Sequence, residues 1–217
     1  MVISAKAFLF DLNGTVIDDM HYHAEAWYKI LNEDLNAGLT WEEVKVQMYG
    51  KNDELLVRLF GDKHFTQERI NEISMEKERR YQQSYLPKLS LIKGLKEFLD
   101  TAKLKGIIMA IGSAAIPFNI DFVIDNLQLR DYFPVVVSAD DVTTSKPHPE
   151  TFLKCAKQLN IHPNDCIVFE DAPKGVESAL NAGMKTFVLT TTHPKDDFLQ
   201  YSNVIGYGND YSNLTIG

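Results

Sequence analysis

The chain has 217 residues, 45% of them hydrophobic and 24% charged. That is enough for a packed core of ordinary domain size with room for an inserted subdomain. A net charge of -8 argues against a nucleic-acid binder, which would show a basic stripe. There is no apolar run of membrane-spanning length and no basic N-terminal leader pattern, and Cys155 and Cys166 form neither a CxxC pair nor a disulfide framework. The expectation is a cytoplasmic, reduced, monomeric protein.

In chain order, "AKAFLFDL" is a short apolar run, the pattern of a strand buried on both faces in a parallel sheet. After Asp19 the strand signal disappears until about residue 85. "HYHAEAWYKILNEDLN" spaces Ala26, Ile30 and Leu31 at helical intervals. "LTWEEVKVQMYG" opens on a capping box, Thr40 with Glu43 three residues on, and runs to Gly50. "NDELLVRLFG" and "TQERINEISMEKERRYQQSYL" are two further helices, and Pro87 marks the exit. This predicts a helical insertion of about four helices.

From residue 94 strand and helix alternate. "LKEFLDTAKLKG" is a helix, "IIMAIG" a strand, "FNIDFVIDNLQL" a helix and "FPVVVSA" a strand. "HPETFLKCAKQLNI" is a helix, "DCIVFED" a strand, "PKGVESALNAGM" a helix and "KTFVLTT" a strand. The fold class expected is α/β, a doubly wound parallel sheet core (Rossmann-like) with an inserted α-helical subdomain. The core comprises residues 1–18 and 88–217, and the insertion residues 19–87.

Sheets of this kind bind ligands beyond the carboxyl ends of their strands. Those ends carry Asp11-Leu12-Asn13-Gly14-Thr15, Gly112-Ser113-Ala114, Ser138-Ala139-Asp140-Asp141 with Lys146 in "SKPHPE" beyond it, and Glu170-Asp171. The last strand, "FVLTTTH", offers only hydroxyls and His193. Chemically this set is suited to phosphoryl transfer. Asp11, Glu170 and Asp171 supply hard oxygen ligands for Mg²⁺. Ser113 and the backbone N–H of Ala114, near a helix start, hold a phosphate oxygen. Lys146 balances the clustered acids and the transferring group. A carboxylate also serves as a nucleophile, which makes Asp11 the candidate for an aspartyl-phosphate.

These residues resemble the haloacid dehalogenase superfamily of aspartate-nucleophile phosphotransferases. The DxxGT run at Asp11, Ser113 after an apolar strand, Lys146 in a KPxP setting and Glu170-Asp171 opening "EDAPKGVESALNAGM" match its four motifs in order. The insertion is similar to the family's helical cap, and the whole most resembles the β-phosphoglucomutase-like branch. The resemblance implies a Mg²⁺-dependent enzyme acting on a small phosphorylated substrate. It implies a metal held by Asp11, the backbone of Asn13, Glu170 and Asp171. It also implies a cap that closes on hinges near Val16–Asp19 and Pro87–Ile92. His23 in "HYHAEAW" and Lys77 in "EKERRY" stand where the mutases keep substrate-binding cap residues. In "YGKNDELL" Lys51 is the cation offered where the mutases place an arginine.

One departure decides the expected activity. Family phosphatases and mutases carry Asp two residues after the nucleophile, as general acid and base; this chain carries Asn13, which donates and accepts hydrogen bonds but cannot shuttle a proton. A mutase needs that proton shuttle twice per cycle, so the expectation moves toward a phosphatase. A β-phosphoglucomutase-like phosphohexomutase and a weakly active pseudoenzyme that binds a phosphorylated ligand stand as alternatives. Dehalogenation needs no metal, and the retained Glu170-Asp171 pair speaks against it. Phosphonate cleavage through a cap lysine rests on Lys77 alone. Bland roles compete at each position: a solvated helix face for Lys77, Arg79 and Arg80, a structural histidine for His23, a loop lysine for Lys51, and core packing for Trp27, Trp41 and the cysteines.

Overall fold

The computed structural model describes residues 1–217 and divides them into two compact units, Met1–Asp18 with Ser90–Gly217, and Asp19–Leu89.

In the first unit β1 (Val2–Ile3) leads into β2 (Ala7–Phe10), whose four side chains are all buried. After the second unit's segment come α5 (Leu95–Leu104), β3 (Ile108–Gly112), α6 (Pro117–Asn126), β4 (Val135–Val137), α7 (Glu150–Leu159), β5 (Cys166–Glu170), α8 (Pro173–Asn181), β6 (Lys185–Leu189), β7 (Val204–Gly208) and β8 (Thr215–Ile216). Six strands form one sheet in the order β4-β3-β2-β5-β6-β7, and every pair is parallel. The chain starts at the centre with β2 and winds outward through β3 and β4. It then crosses back to β5 and winds outward the other way. β2 therefore ends at the topological switch point, where such sheets leave a crevice.

The apolar run of β2 still obeys the two-residue alternation of a strand. Phe8 and Phe10 join Phe98 of α5, Phe169 of β5 and Tyr211 on one face, with Phe10 stacked on Phe169 at 4.6 Å between ring centroids. Ala7 and Leu9 join Ala110, Phe152, Cys155, Val168 and Ala179 on the other. The register places Phe10 opposite both Ile111 and Phe169. Residues 11, 112 and 170 therefore emerge from the sheet at one level.

Three strands differ from the sequence expectation here. Residues 204–208, Gly-rich and only half-buried, form the sheet's edge strand. The two-residue strands β1 and β8 pair in parallel and bring the two ends of the chain together. None of the three carries an apolar run long enough to be recognised from sequence.

The second unit is helical: α1 (Met20–Lys29), α2 (Trp41–Val46), α3 (Asn52–Phe60) and α4 (Gln67–Tyr85). Its core is built by Trp27, Ile30, Leu31, Val44, Leu55, Leu56, Ile70 and Ile73. The first helix does not run on to Asn36 as a uniform α-helix. It widens into a π turn over Ile30–Asp34, closed by the Leu35 N–H on the Ile30 carbonyl at 3.0 Å. The Thr40–Glu43 capping box is present, with the Glu43 carboxylate accepting the Thr40 N–H at 2.8 Å, but α2 stops at Val46, short of Gly50.

Phe169 packs against Phe8, Phe10, Phe98, Phe187 and Tyr211, so truncating it opens a cavity at the centre of the first unit. Phe169→Ala should cost roughly 3–5 kcal/mol. Urea unfolding should show this as a lower midpoint at unchanged slope.

Candidate active site

Asp11 is the first residue past β2. Its N–H still belongs to the sheet, donating to the Phe169 carbonyl at 3.0 Å, while its side chain stands at the switch point, 7% exposed. The chain then turns back sharply. The Gly14 N–H donates to the Ile17 carbonyl at 2.7 Å, and Gly14 adopts φ +78°. A Cβ at Gly14 would collide with the Asp171 carboxylate. Glycine is therefore needed here for conformation and for room.

Lys146 lies in the loop before α7, its ammonium donating to Asp11 Oδ1 at 2.6 Å and to Glu170 Oε1 at 2.8 Å. Burial opposes the charge on Lys146, but Asp11 and Glu170 outweigh it and hold its pKa above the ordinary lysine range. Glu170 Oε2 accepts the N–H groups of Asp171 and Ala172, each at 2.8 Å. Its carboxylate also occupies the space where a side chain at Gly175 would sit. Glu170 thus closes the start of α8 and anchors Lys146, leaving it less coordination capacity than the other two acids.

Asp171 is held differently. Thr15 Oγ1 donates to its Oδ1 at 3.3 Å, and Thr192 Oγ1 donates to its Oδ2. Burial, then the nearby charges of Glu170 and Asp11, push the Asp171 carboxyl well above the usual carboxylate range. Carboxylate oxygens of Asp11, Glu170 and Asp171 lie within 4.8 Å of one another. With three buried acids and one ammonium, the cluster is short of positive charge. A hard divalent cation on oxygen ligands fits that deficit.

Ser113 leaves β3, whose register sets Gly112 beside the β2 end. It is 1% exposed, and its Oγ accepts the Ala115 N–H at 3.0 Å, so its hydroxyl proton is left to donate. Ser113 does not cap α6. That helix starts at Pro117 behind Ile116, so Ser113 and Ala114 form a turn ahead of the helix rather than its first residues. The thiols of Cys155 and Cys166 are pushed by burial up to about 12 and about 11, which makes them poor nucleophiles.

His23, Lys51 and Lys77 belong to the helical unit. Within it Lys77 is 3% exposed, its ammonium 2.6 Å from His23 Nδ1 and 3.0 Å from Glu78 Oε2. An ammonium only donates, so this contact needs Nδ1 as acceptor, leaving Nε2 to carry the proton toward Asp19 Oδ2 at 3.2 Å. Tyr81 stacks on His23 and donates to the same Asp19 oxygen at 2.5 Å. Lys77 is therefore not on a solvated face. Arg79 and Arg80 are, paired with Glu76 and, for Arg80, with Asp34. Lys51 stands at the start of α3, where its N–H donates to Glu54 at 3.0 Å.

Thr191, Thr192 and Tyr211 were not singled out from sequence. Thr191 donates to the Gly14 carbonyl at 2.5 Å and Tyr211 to the Thr15 carbonyl at 3.0 Å. The only sequence signal was the run of hydroxyls after β6.

A family model described as haloacid dehalogenase-like hydrolase matches residues 8–189. The fructose-1-phosphate phosphatase YqaB of Escherichia coli is 28% identical, the alignment covering 81% of this chain and 92% of that protein. The β-phosphoglucomutase of Bacillus subtilis is 29% identical, over 82% of this chain and 80% of that one. Among solved structures, a haloacid dehalogenase (HAD) hydrolase of family IA, variant 3, from Entamoeba histolytica superposes with a TM-score of 0.86 at 27% identity, covering 96% of this chain and 95% of that chain.

In the metal-free chain the folded state binds the Asp171 proton more tightly than the unfolded state does. The contribution of Asp171 to stability is therefore greatest at low pH and is lost as pH rises from the ordinary value of 3.8 through the raised one. Asp171→Asn should stabilise the metal-free protein at neutral pH. The gain should vanish in acid; thermal melts across the pH range in the presence of a chelator measure it.

Proposed function

The chain belongs to the haloacid dehalogenase-like hydrolases, and from that premise we propose that it moves a phosphoryl group from a small phosphorylated metabolite to Asp11 and on to water, with Mg²⁺ as cofactor. The observation that carries this is the Lys146 ammonium set between Asp11 and Glu170, with Asp171 in the same buried cluster. Two relatives, a fructose-1-phosphate phosphatase and a β-phosphoglucomutase, are named for sugar phosphates, and we take that as the substrate class.

The cation would be held by an Asp11 oxygen, the main-chain carbonyl of Asn13 and Asp171, with Glu170 acting partly through water. When bound, Mg²⁺ supplies the positive charge that the acid cluster lacks and offsets the negative charge of the phosphoryl group. The chain's own residues do the rest. An Asp11 carboxylate oxygen forms a bond to phosphorus as the bond to the substrate's leaving oxygen breaks. Lys146 keeps Asp11 ionised and oriented. The Ser113 hydroxyl and the Ala114 N–H hold phosphoryl oxygens. Water then attacks the aspartyl-phosphate, phosphate leaves, and the Asp11 carboxylate is restored.

His23, Lys51 and Lys77 are proposed to bind the part of the substrate that is not transferred. What supports this is that the helical unit sets the Lys77 ammonium and the His23 imidazole side by side, 2.6 Å apart. The two cysteines are both buried free thiols and the net charge is -8, which suits a monomer in the cytoplasm.

Asn13 sets the balance between hydrolysis and the alternatives. A leaving alkoxide needs a proton, and Asn13 has none to give. Hydrolysis of substrates with acidic leaving groups tolerates this; the two proton transfers of a mutase cycle do not. A mutase-like or weakly active, ligand-binding protein is the second reading. A hydrolysis screen over phosphorylated metabolites, with and without Mg²⁺, tests the first. Asn13→Asp should raise turnover of sugar phosphates by roughly 10²- to 10⁴-fold. Turnover of aryl or acyl phosphates should change far less. Because Asn13 precedes Gly14, a pair prone to deamidation, mass spectrometry of the starting protein belongs in the same experiment. Equal gains on both substrate types would show that Asn13 is not a missing proton shuttle.

A further inference from the structure

Two of the cluster's carboxylates share an ammonium, and the third does not. Glu170 takes Lys146 and two main-chain N–H groups, and Asp11 takes Lys146. The resolved side-chain donors to Asp171 are hydroxyls, Thr15 Oγ1 on Oδ1 and Thr192 Oγ1 on Oδ2, with Thr192 Oγ1 also 3.0 Å from the Asp171 main-chain carbonyl. The same pattern continues along the turn after Asp11. Thr191 and Tyr211 hold the Gly14 and Thr15 carbonyls at 2.5 Å and 3.0 Å. Tyr211 is 2% exposed, and its ring is locked among Phe10, Phe98 and Phe169. Thr191 and Thr192 lie two and three residues past the end of β6, in the turn that leaves the sheet.

The choice of hydroxyls has a physical consequence. A lysine or arginine on Asp171 would neutralise it and compete with a cation. A hydroxyl fixes the plane of the carboxylate while leaving its charge and most of its lone pairs available. The Gly14 and Thr15 carbonyls accept hydroxyl protons, which fixes the course of the turn in which Asn13 stands. Groups of this kind, bonded to a ligand rather than to the metal, commonly change metal affinity 10- to 100-fold when removed.

We propose that Thr192, assisted by Thr191 and Tyr211, is the positioning residue of the cation site: its hydroxyl sets the coordinating face of Asp171, and the other two set the turn that follows the nucleophile. The assignment rests on the metal site proposed above and adds residues from the C-terminal half of the chain that no motif match covers.

Calorimetric titration of Mg²⁺ alone into the metal-free full-length protein tests it. Thr192→Val keeps the size of the side chain and removes the donor; its Mg²⁺ affinity should fall about 10- to 100-fold. Thr192→Ser returns the hydroxyl and should recover most of the loss. Tyr211→Phe should weaken binding less, because it acts on the turn and not on a ligand. Melting of each metal-free variant is measured alongside, since a merely structural role would lower that melting temperature and leave the affinity unmoved. Where Thr192→Val does not fold, Thr192→Ala takes its place. If the wild-type protein binds Mg²⁺ and the donor-less variant binds it equally well, the positioning role is wrong while the metal site stands. If the wild-type protein takes up no Mg²⁺, the metal site itself is wrong and this role goes with it.

Discussion

One ammonium lies among three buried carboxylates, and the rest of the first unit is organised to keep it there. Burying a single unpaired carboxylate would cost several kcal/mol. The parallel sheet brings three together because β2 and β5 are neighbours in register and leave the sheet at the same level. Lys146 offsets part of the repulsion from a loop that is distant in sequence from both acids. What it leaves uncompensated is a standing demand for a proton or a cation, expressed at Asp171. The conformations nearby follow from the same crowding. Gly14 is a glycine because the Asp171 carboxylate fills the space of its side chain, and Gly175 because that of Glu170 does.

Nucleophile, cation ligands and proton shuttle are separable parts of this chemistry. On the function proposed, Asn13 would remove the last of them and leave the others in place. Coordination through the main-chain carbonyl at position 13, as proposed, would not depend on the side chain, and neither does the turn that Gly14 makes possible. A chain built this way would keep the electrostatics of phosphoryl transfer and give up the part that distinguishes an alkoxide leaving group from a more acidic one. Family membership and the identity of residue 13 therefore bear on different questions. Membership speaks for hydrolase chemistry of this family, and the proposal for Asn13 concerns which substrates would be turned over.

Much of the core was legible in the sequence because β2, β3, β5 and β6 are apolar runs separated by amphipathic helices, and the chemistry sits at their ends. Asp11, Lys146, Glu170 and Asp171 could be grouped from that alone, since the topology allows strand ends only one crevice. Other features were not legible. The π turn at Ile30–Asp34 is a one-residue change in bonding that leaves the apolar spacing almost intact. The edge strand Val204–Gly208 is Gly-rich and half-buried, and its pairing partner supplies the structure. Lys77 looked like one member of a charge run on α4; its burial depends on His23 and Glu78. Thr191 and Tyr211 reach the turn after Asp11 across 177 and 196 residues of sequence, and Thr192 reaches back 21 residues to Asp171. No local pattern marks a threonine as bonded to a carbonyl in another segment.

The central claim is that Asp11 receives the phosphoryl group. The direct measurement is to mix the protein with Mg²⁺ and an acyl or aryl phosphate, quench in acid, and locate the phosphorylated residue by mass spectrometry of peptides. A phosphoryl group on Asp11, lost on treatment with hydroxylamine and absent when Mg²⁺ is chelated, is the result expected. Turnover of the same substrate with a phosphoryl group trapped on another residue, or unchanged turnover in Asp11→Asn, would contradict it.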